Sequence, residues 1–305
     1  MTAARPPSRD LFGLLLLDKP LGMSSNRALQ RAKRLFCAAK AGHTGSLDPL
    51  ATGMLPVFFG AATRLASYML EARKTYRVTA TLGSATSTGD TEGETIEDRS
   101  AEPPLDLAKI EAAVGRFVGE IAQVPPMYSA LKRDGVPLYR LARSGVEVPR
   151  APRNVVIEEL AIERYDWPAL QLRVRCSKGT YIRTLVEDLA KEAGTVGHVA
   201  VLRRLAVGPF VEEGMRTFEQ LEAAASDGLD NLDRLLIPAD AALLDFGSVV
   251  LSASDAARLI QGQSVPADAA WTSGPVKIYA ESGRFMAIGV VTAERRLAPT
   301  RVFIR

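Results

Sequence analysis

Gly42-His43-Thr44-Gly45-Ser46-Leu47-Asp48-Pro49-Leu50-Ala51-Thr52-Gly53 is the stretch on which the reading of this chain turns. Three glycines, one proline and three hydroxyl residues in twelve positions break both helical and strand periodicity, so the segment reads as a stiff irregular loop. Such a loop can hold its single acid, Asp48, rigidly at a cleft, as a nucleophile or general base requires. By residue type alone, an Asp in this setting more often closes an Asx-turn, here with Thr52. The loop is not a phosphate-binding P-loop, because the G-x-x-x-x-G-K-[ST] spacing and its lysine are missing.

Outward from the loop, regular elements come into view. Upstream, residues 12–17 read as a buried strand, stopped by the turn Asp18-Lys19-Pro20-Leu21-Gly22. Ser24 or Ser25 then caps a helix to about Cys37, with Leu29, Ala32, Leu35 and Phe36 inward and Arg27, Arg31 and Arg34 along one exposed stripe. Downstream, 76–81 is a strand with Tyr76, Val78 and Ala80 on one side, and 106–118 is an amphipathic helix with Ile110, Ala113, Val114 and Phe117 inward. Residues 170–176 alternate as a half-buried strand and lead through Ser177-Lys178-Gly179-Thr180 into a helix with Ile182, Leu185, Val186, Leu189 and Ala193 on its apolar face. Between these elements, 123–153 carries five prolines, no lasting period, and six bases against two acids from Lys132 to Arg153. It reads as a basic flap inserted into the core of the main domain, one whose prolines deny it a helix and which orders on a polyanion.

The 305 residues suffice for one large domain and a small one. A loose tail is expected at 1–11, the main domain at 12–246, and a small β-rich domain at 247–305, with a helix near 254–261 and strands near 276–280, 285–291 and 301–304. No apolar run approaches the roughly 20 residues of a membrane span, and no secretory signal core is present, so a cytoplasmic protein without membrane contact is expected. Two distant cysteines and two histidines make a disulfide framework or a metal site improbable on composition. Net charge is only +3, but six bases and no acid lie between Lys19 and Leu47, while acids gather at 90–102 and 212–233. That sorting fits one basic face turned to a polyanion, and fits ordinary solvated faces as well.

The 42–53 loop closely resembles the motif II signature of TruB-type pseudouridine synthases, in which the Asp is the catalytic nucleophile. Leu15-Leu16-Leu17-Asp18-Lys19-Pro20-Leu21-Gly22-Met23-Ser24-Ser25 resembles the family's Lys-Pro segment. Lys74-Thr75-Tyr76-Arg77 is similar to the segment that supplies an active-site tyrosine, and Cys176-Ser177-Lys178-Gly179-Thr180-Tyr181-Ile182-Arg183-Thr184-Leu185 to its motif III. Leu202-Arg203-Arg204 follows the family's hydrophobic-then-basic pattern, and the likeness runs in order over residues 12–305.

The resemblance implies an α+β fold, the pseudouridine synthase fold, with a mixed, mainly antiparallel sheet, flanking helices and a C-terminal PUA-like RNA-binding domain. It implies a monomeric enzyme that turns uridine 55 of the tRNA T loop into pseudouridine, with no cofactor, no metal and no obligate protein partner, and a second role as a tRNA-folding chaperone. Asp48, Tyr76 and Arg183 are the expected catalytic residues. His43, Tyr76, Tyr181 and Leu202 are expected to hold the flipped base or fill its gap in the stack. Lys19, Arg27, Arg31, Lys132, Arg140 and Arg143 are the candidate phosphate contacts. By residue type alone, Tyr76 and Tyr181 fit a core as well as a base pocket, and Arg183 fits a helix surface. Two rival readings fit the same residues: a non-catalytic RNA-binding protein, and a glycosidase-like hydrolase, which would need a second carboxylate across the bond. Attack of Asp48 on uracil C6, attack on ribose C1′, and a route through an eliminated sugar all remain open.

Overall fold

Leu14, Leu15, Leu16 and Leu17 are all buried, and their strand, Gly13–Lys19, shows why. Alternate side chains of a strand point to opposite faces. Leu14 and Leu16 therefore join one apolar cluster with Met54, Phe58 and Leu65, while Leu15 and Leu17 join another with Leu29, Phe36, Phe59 and Phe218. Core on both faces requires a continuous apolar run rather than an alternating one. In this computed structural model, residues 7–304 are described.

The main sheet has the strand order Gly13–Lys19, Thr52–Phe59, Gly197–Val207, Lys74–Leu82, Ala169–Cys176, Arg153–Asp166, Gly119–Gln123, with Ala41–His43 paired to Thr52–Phe59. Every pairing is antiparallel except the short parallel contact of Arg203 with Thr52 and Arg204 with Gly53. The fold is thus the expected mixed, mainly antiparallel α+β sheet. At Gly53 (φ +95°) the backbone passes so close to Arg204 that a Cβ would lie 2.2 Å from its carbonyl oxygen, so only glycine fits. Helices Leu107–Arg116 and Ile182–Glu192 cover the far half of the sheet through Ile110, Val114, Leu185 and Leu189.

The elements read from the sequence are present, with adjustments. Ser24 caps the helix Ser25–Leu35, its side chain accepting from the Arg27 N–H, and Asp106 caps Leu107–Arg116. The ends of the 42–53 segment belong to strands, leaving 44–51 as the loop proper. The long strands Arg153–Asp166 and Gly197–Val207, absent from the sequence reading, complete the sheet. The excursion is not free of helix: its prolines stand outside or at the cap of Leu138–Arg143, and a small hairpin pairs Lys132–Arg133 with Val136–Pro137. Residues 1–6 of the expected tail lie outside the described residues, but Arg9 is fastened, its backbone bonded to Cys37 and Ala39 and its guanidinium paired with Asp233.

A second, five-stranded sheet runs in the order Gly247–Leu251, Gly274–Ala280, Phe285–Val291, Arg296–Val302, Val265–Pro266, with the helix Ala253–Ile260. Its last long strand begins at Arg296, earlier than the expected 301–304. This sheet docks on the main body through Phe285 and Phe303 against Phe12, and through the Tyr279 hydroxyl, which donates to Asp240 at 2.5 Å. Among the described residues, no helix is long and apolar enough to cross a membrane.

Candidate active site

Loop 44–51 is held from below by buried polar groups. The Ser25 hydroxyl, at the start of its helix, accepts from the Leu47 N–H (2.7 Å) and donates to the Leu47 carbonyl (2.9 Å). Lys19 is fully buried, and its ammonium donates to the carbonyls of Pro20, Met23 and Pro49. Arg204, 1% exposed, donates to the carbonyls of Gly45 and Met54. Main-chain residues on both sides of Asp48 are therefore fixed by donors from two strands and a helix. Burial lowers the Lys19 pKa to about 8, partly offset by Asp48.

Asp48 stands half-exposed on this platform, in a cleft of about 500 Å³ whose walls include Tyr76, Tyr181, Arg183, Leu202 and Arg204. Arg183, one residue into its helix and 4% exposed, reaches Asp48 Oδ2 with Nη2 at 2.9 Å. The same nitrogen donates to the Tyr128 carbonyl at 2.7 Å, and Nη1 donates to the Thr88 carbonyl at 2.8 Å. Nε faces the Asp90 carboxylate at 3.5 Å. A guanidinium with partners on each side is locked in orientation, and it meets Asp48 as a fixed positive charge.

Tyr76, on Lys74–Leu82, and Leu202, on the neighbouring strand, form the cleft floor and are 9% and 5% exposed. Burial raises the Tyr76 pKa, opposed by Arg204, so the phenol stays protonated at neutral pH. Tyr181 lies opposite on the wall, its pKa also raised by burial. Nearby Ser129, 5% exposed, places its buried hydroxyl beside Tyr181.

The other expected site residues scatter. His43 ends its short strand, half-buried and outside the cleft walls, with Nδ1 unpartnered; burial and then Arg204 lower its pKa, leaving a neutral ring. Lys19 has no exposed surface, so the expectation that it touches an RNA phosphate is wrong. Arg31 is occupied, paired with Glu222 at 2.6 Å and lying over the Phe218 ring. Arg27, Lys132, Arg140 and Arg143 are exposed.

Asp90 was missed. In sequence it belongs to an acidic run with the look of a solvated face, yet it is 2% exposed. Its carboxylate accepts from the Thr88 hydroxyl at 2.5 Å and the Glu92 N–H at 3.0 Å. Nothing in Ser87-Thr88-Gly89-Asp90 distinguishes that from a turn. Ser25 and Arg204 were likewise legible only as a cap and a basic residue.

Residues 33–182 match the family described as TruB family pseudouridylate synthase (N terminal domain), 183–244 the tRNA pseudouridylate synthase B C-terminal domain, and 247–303 the pseudouridine synthase II TruB C-terminal region. The chain is 48% identical over 295 residues to a tRNA pseudouridine synthase B of Pseudomonas fluorescens, covering 96% of both chains. The same identity holds over 294 residues with the protein of that name from Methylobacillus flagellatus, again covering 96% of each. Among solved structures it resembles a chain of a Cbf5-Nop10-Gar1 complex, with a TM-score of 0.71 and 25% identity over 96% of this chain and 84% of that one.

Proposed function

The chain belongs to the TruB family, enzymes that form pseudouridine in tRNA, and from that premise we propose that it isomerises uridine 55 of the T loop with Asp48 as nucleophile. The observation that carries the reading is the 2.9 Å pair between Arg183 and Asp48 inside a cleft walled by two tyrosines and a leucine. The target uridine is stacked inside folded RNA, so it must be flipped out to reach this cleft. Tyr76 and Tyr181 offer flat faces to the uracil ring and Leu202 an apolar edge. The neutral His43 ring stacks into the vacated place in the RNA.

The isomerisation breaks the N1–C1′ bond, turns the uracil and joins C5 to C1′; the C5 proton leaves to solvent and the freed N1 takes up a proton in its place. Attack at uracil C6, attack at C1′ and an eliminated-sugar route all use an ionised Asp48, and the Arg183 guanidinium pairs with its carboxylate at 2.9 Å. Asp90 holds Arg183 from behind. The protonated Tyr76 phenol is in place to pass a proton. Arg27, Lys132, Arg140 and Arg143 meet phosphates, the last three carried on residues 123–153 as a flap that closes over the RNA loop. The second sheet, from 247 onward, supplies a further RNA-binding surface, and a tRNA-folding activity would use these contacts without Asp48.

Of the rivals, the hydrolase suffers most. The acids on the cleft wall are Asp48 and Glu71, and Glu71 is tied to Lys178 at 2.5 Å. Asp90 has a side chain only 3% exposed, so it cannot flank a sugar. T-arm RNA tritiated at uracil C5 tests the assignment: the wild type should release tritium at a single uridine, and Asp48→Asn should bind the RNA without releasing any. Release by that variant near the wild-type rate would overturn it.

A further inference from the structure

The excursion at 123–153 leaves the sheet and returns at a single pair of positions, Gln123 on the Gly119–Gln123 strand and Arg153 on Arg153–Asp166, which are register partners. Gln123 is 2% exposed. Its carboxamide does not turn to solvent or to the flap but reaches across to one residue of the cleft wall. Nε2 donates to the Tyr181 carbonyl at 3.1 Å, and Oε1 accepts from the Tyr181 N–H at 2.8 Å. The side chain of an edge-strand residue thus pairs with both main-chain groups of Tyr181, as another strand would.

Tyr181 is the N-cap residue of Ile182–Glu192, and no side chain of its own caps that helix. The helix start that carries Arg183 is therefore fixed at Tyr181 by the neck of the flap. A second link runs the same way, since Arg183 Nη2 donates to the carbonyl of Tyr128, five residues into the excursion. We propose that Gln123 is a positioning residue: its carboxamide registers the flap's neck against Tyr181 and Arg183, so that the seating of the flap sets the geometry of the Arg183–Asp48 pair. The inference rests on the roles given to Asp48, Tyr181 and Arg183 above.

The chemistry of the clamp is specific, because one group must donate and accept at once. Glutamine does so at any pH. A glutamate in its place does so only when protonated; ionised, it sets a second acceptor against the Tyr181 carbonyl. Leucine fills similar space and does neither. Misplacement of a catalytic group by about 1 Å lowers turnover on the order of 100-fold.

The experiment is single-turnover tritium release from T-arm RNA by Gln123→Leu and Gln123→Glu, with RNA Kd and Tm measured alongside. Gln123→Leu should lose roughly 10- to 100-fold in rate, with RNA affinity and melting little changed. Gln123→Glu should match that loss at about pH 8 and recover toward wild type as its buried carboxyl protonates near about pH 6, while Gln123→Leu stays at a constant ratio to wild type. Wild-type rates in Gln123→Leu would overturn the clamp. So would a loss of rate that only tracks a loss of folding, or a Gln123→Glu variant without pH recovery. Tritium release by Asp48→Asn would instead sink the chemical assignment itself, which keeps the two failures apart.

Discussion

Two of the segments that border the cleft are built in opposite ways. Loop 44–51 has no regular structure, yet Ser25, Lys19 and Arg204 hold its backbone and Arg183 holds its carboxylate. The 123–153 excursion does contain a hairpin and a helix, yet Leu138, its large buried apolar residue, joins none of the apolar clusters of the body. Its bases Lys132, Arg140 and Arg143 stand in solvent. Regular secondary structure and packing against the body are thus separate properties here. Chemistry needs a fixed carboxylate, whereas gripping a folded RNA needs a surface that can adapt.

The comparison breaks most sharply at Asp48. Asp48→Asn keeps the shape and the loop anchors, so turnover should fall by on the order of 10⁴-fold or more, as when a nucleophile is removed, with RNA binding retained. Tritium release and RNA affinity measured on one preparation check both halves. Next comes Arg183→Lys, which keeps the charge but cannot serve Asp48, Asp90, Thr88 and Tyr128 together. We expect a loss of roughly 100-fold in rate with RNA affinity close to wild type. Equal losses in rate and affinity would make Arg183 a phosphate ligand and remove it from the rigid side.

Most of the rigid side was readable in sequence because its irregularity is compositional: glycine, proline and hydroxyl residues around one acid leave few alternatives. Asp48, Tyr76, Tyr181, Arg183 and Leu202 do converge on one cleft. What escaped were groups whose role depends on burial. Lys19 looked like a phosphate ligand because a lysine is ordinarily solvated, but the carbonyls of Pro20, Met23 and Pro49 make a buried site for its ammonium. Asp90 looked solvated because its neighbours are. In the excursion, five prolines masked a helix of six residues, since none of them falls inside it. The strand Gly197–Val207 escaped because it runs through the centre of the sheet with Arg203 and Arg204 in it, and its arginines read as surface.

On the adaptable side, replacing Lys132, Arg140 and Arg143 by Gln should leave the rate at saturating RNA unchanged and weaken binding. Each phosphate that is no longer neutralised flattens the slope of log K against log salt by about 0.9, so the triple change should reduce it by about 2 to 3. Filter binding across a salt series reads this directly. An unchanged slope would mean that the exposed bases of the excursion do not meet RNA.

The smallest effect concerns what the rigid side costs. Glu187 lies one helical turn beyond Arg183, against Gly89, where an added Cβ would meet its Oε1 at 2.5 Å. It therefore backs the turn whose Thr88 carbonyl and Asp90 carboxylate hold Arg183. Burial raises its pKa from 4.5 to about 7, Arg183 opposes the shift, and Asp188 and Asp90 add to it. The native state thus holds a proton between about pH 4.5 and pH 7 that the unfolded chain has released, so this contribution is present below pH 4.5 and lost as pH rises through 7. Glu187→Gln fixes the neutral form. With partial exposure discounted, the variant should be roughly 1–2 kcal/mol more stable than wild type at about pH 8.5 and indistinguishable from it near about pH 4.5. Glu187 is not on the cleft wall, so the rate of tritium release should hold. Urea unfolding at the two pH values decides it: a variant no more stable at the higher pH would mean that the anchors behind Arg183 carry no buried-charge penalty.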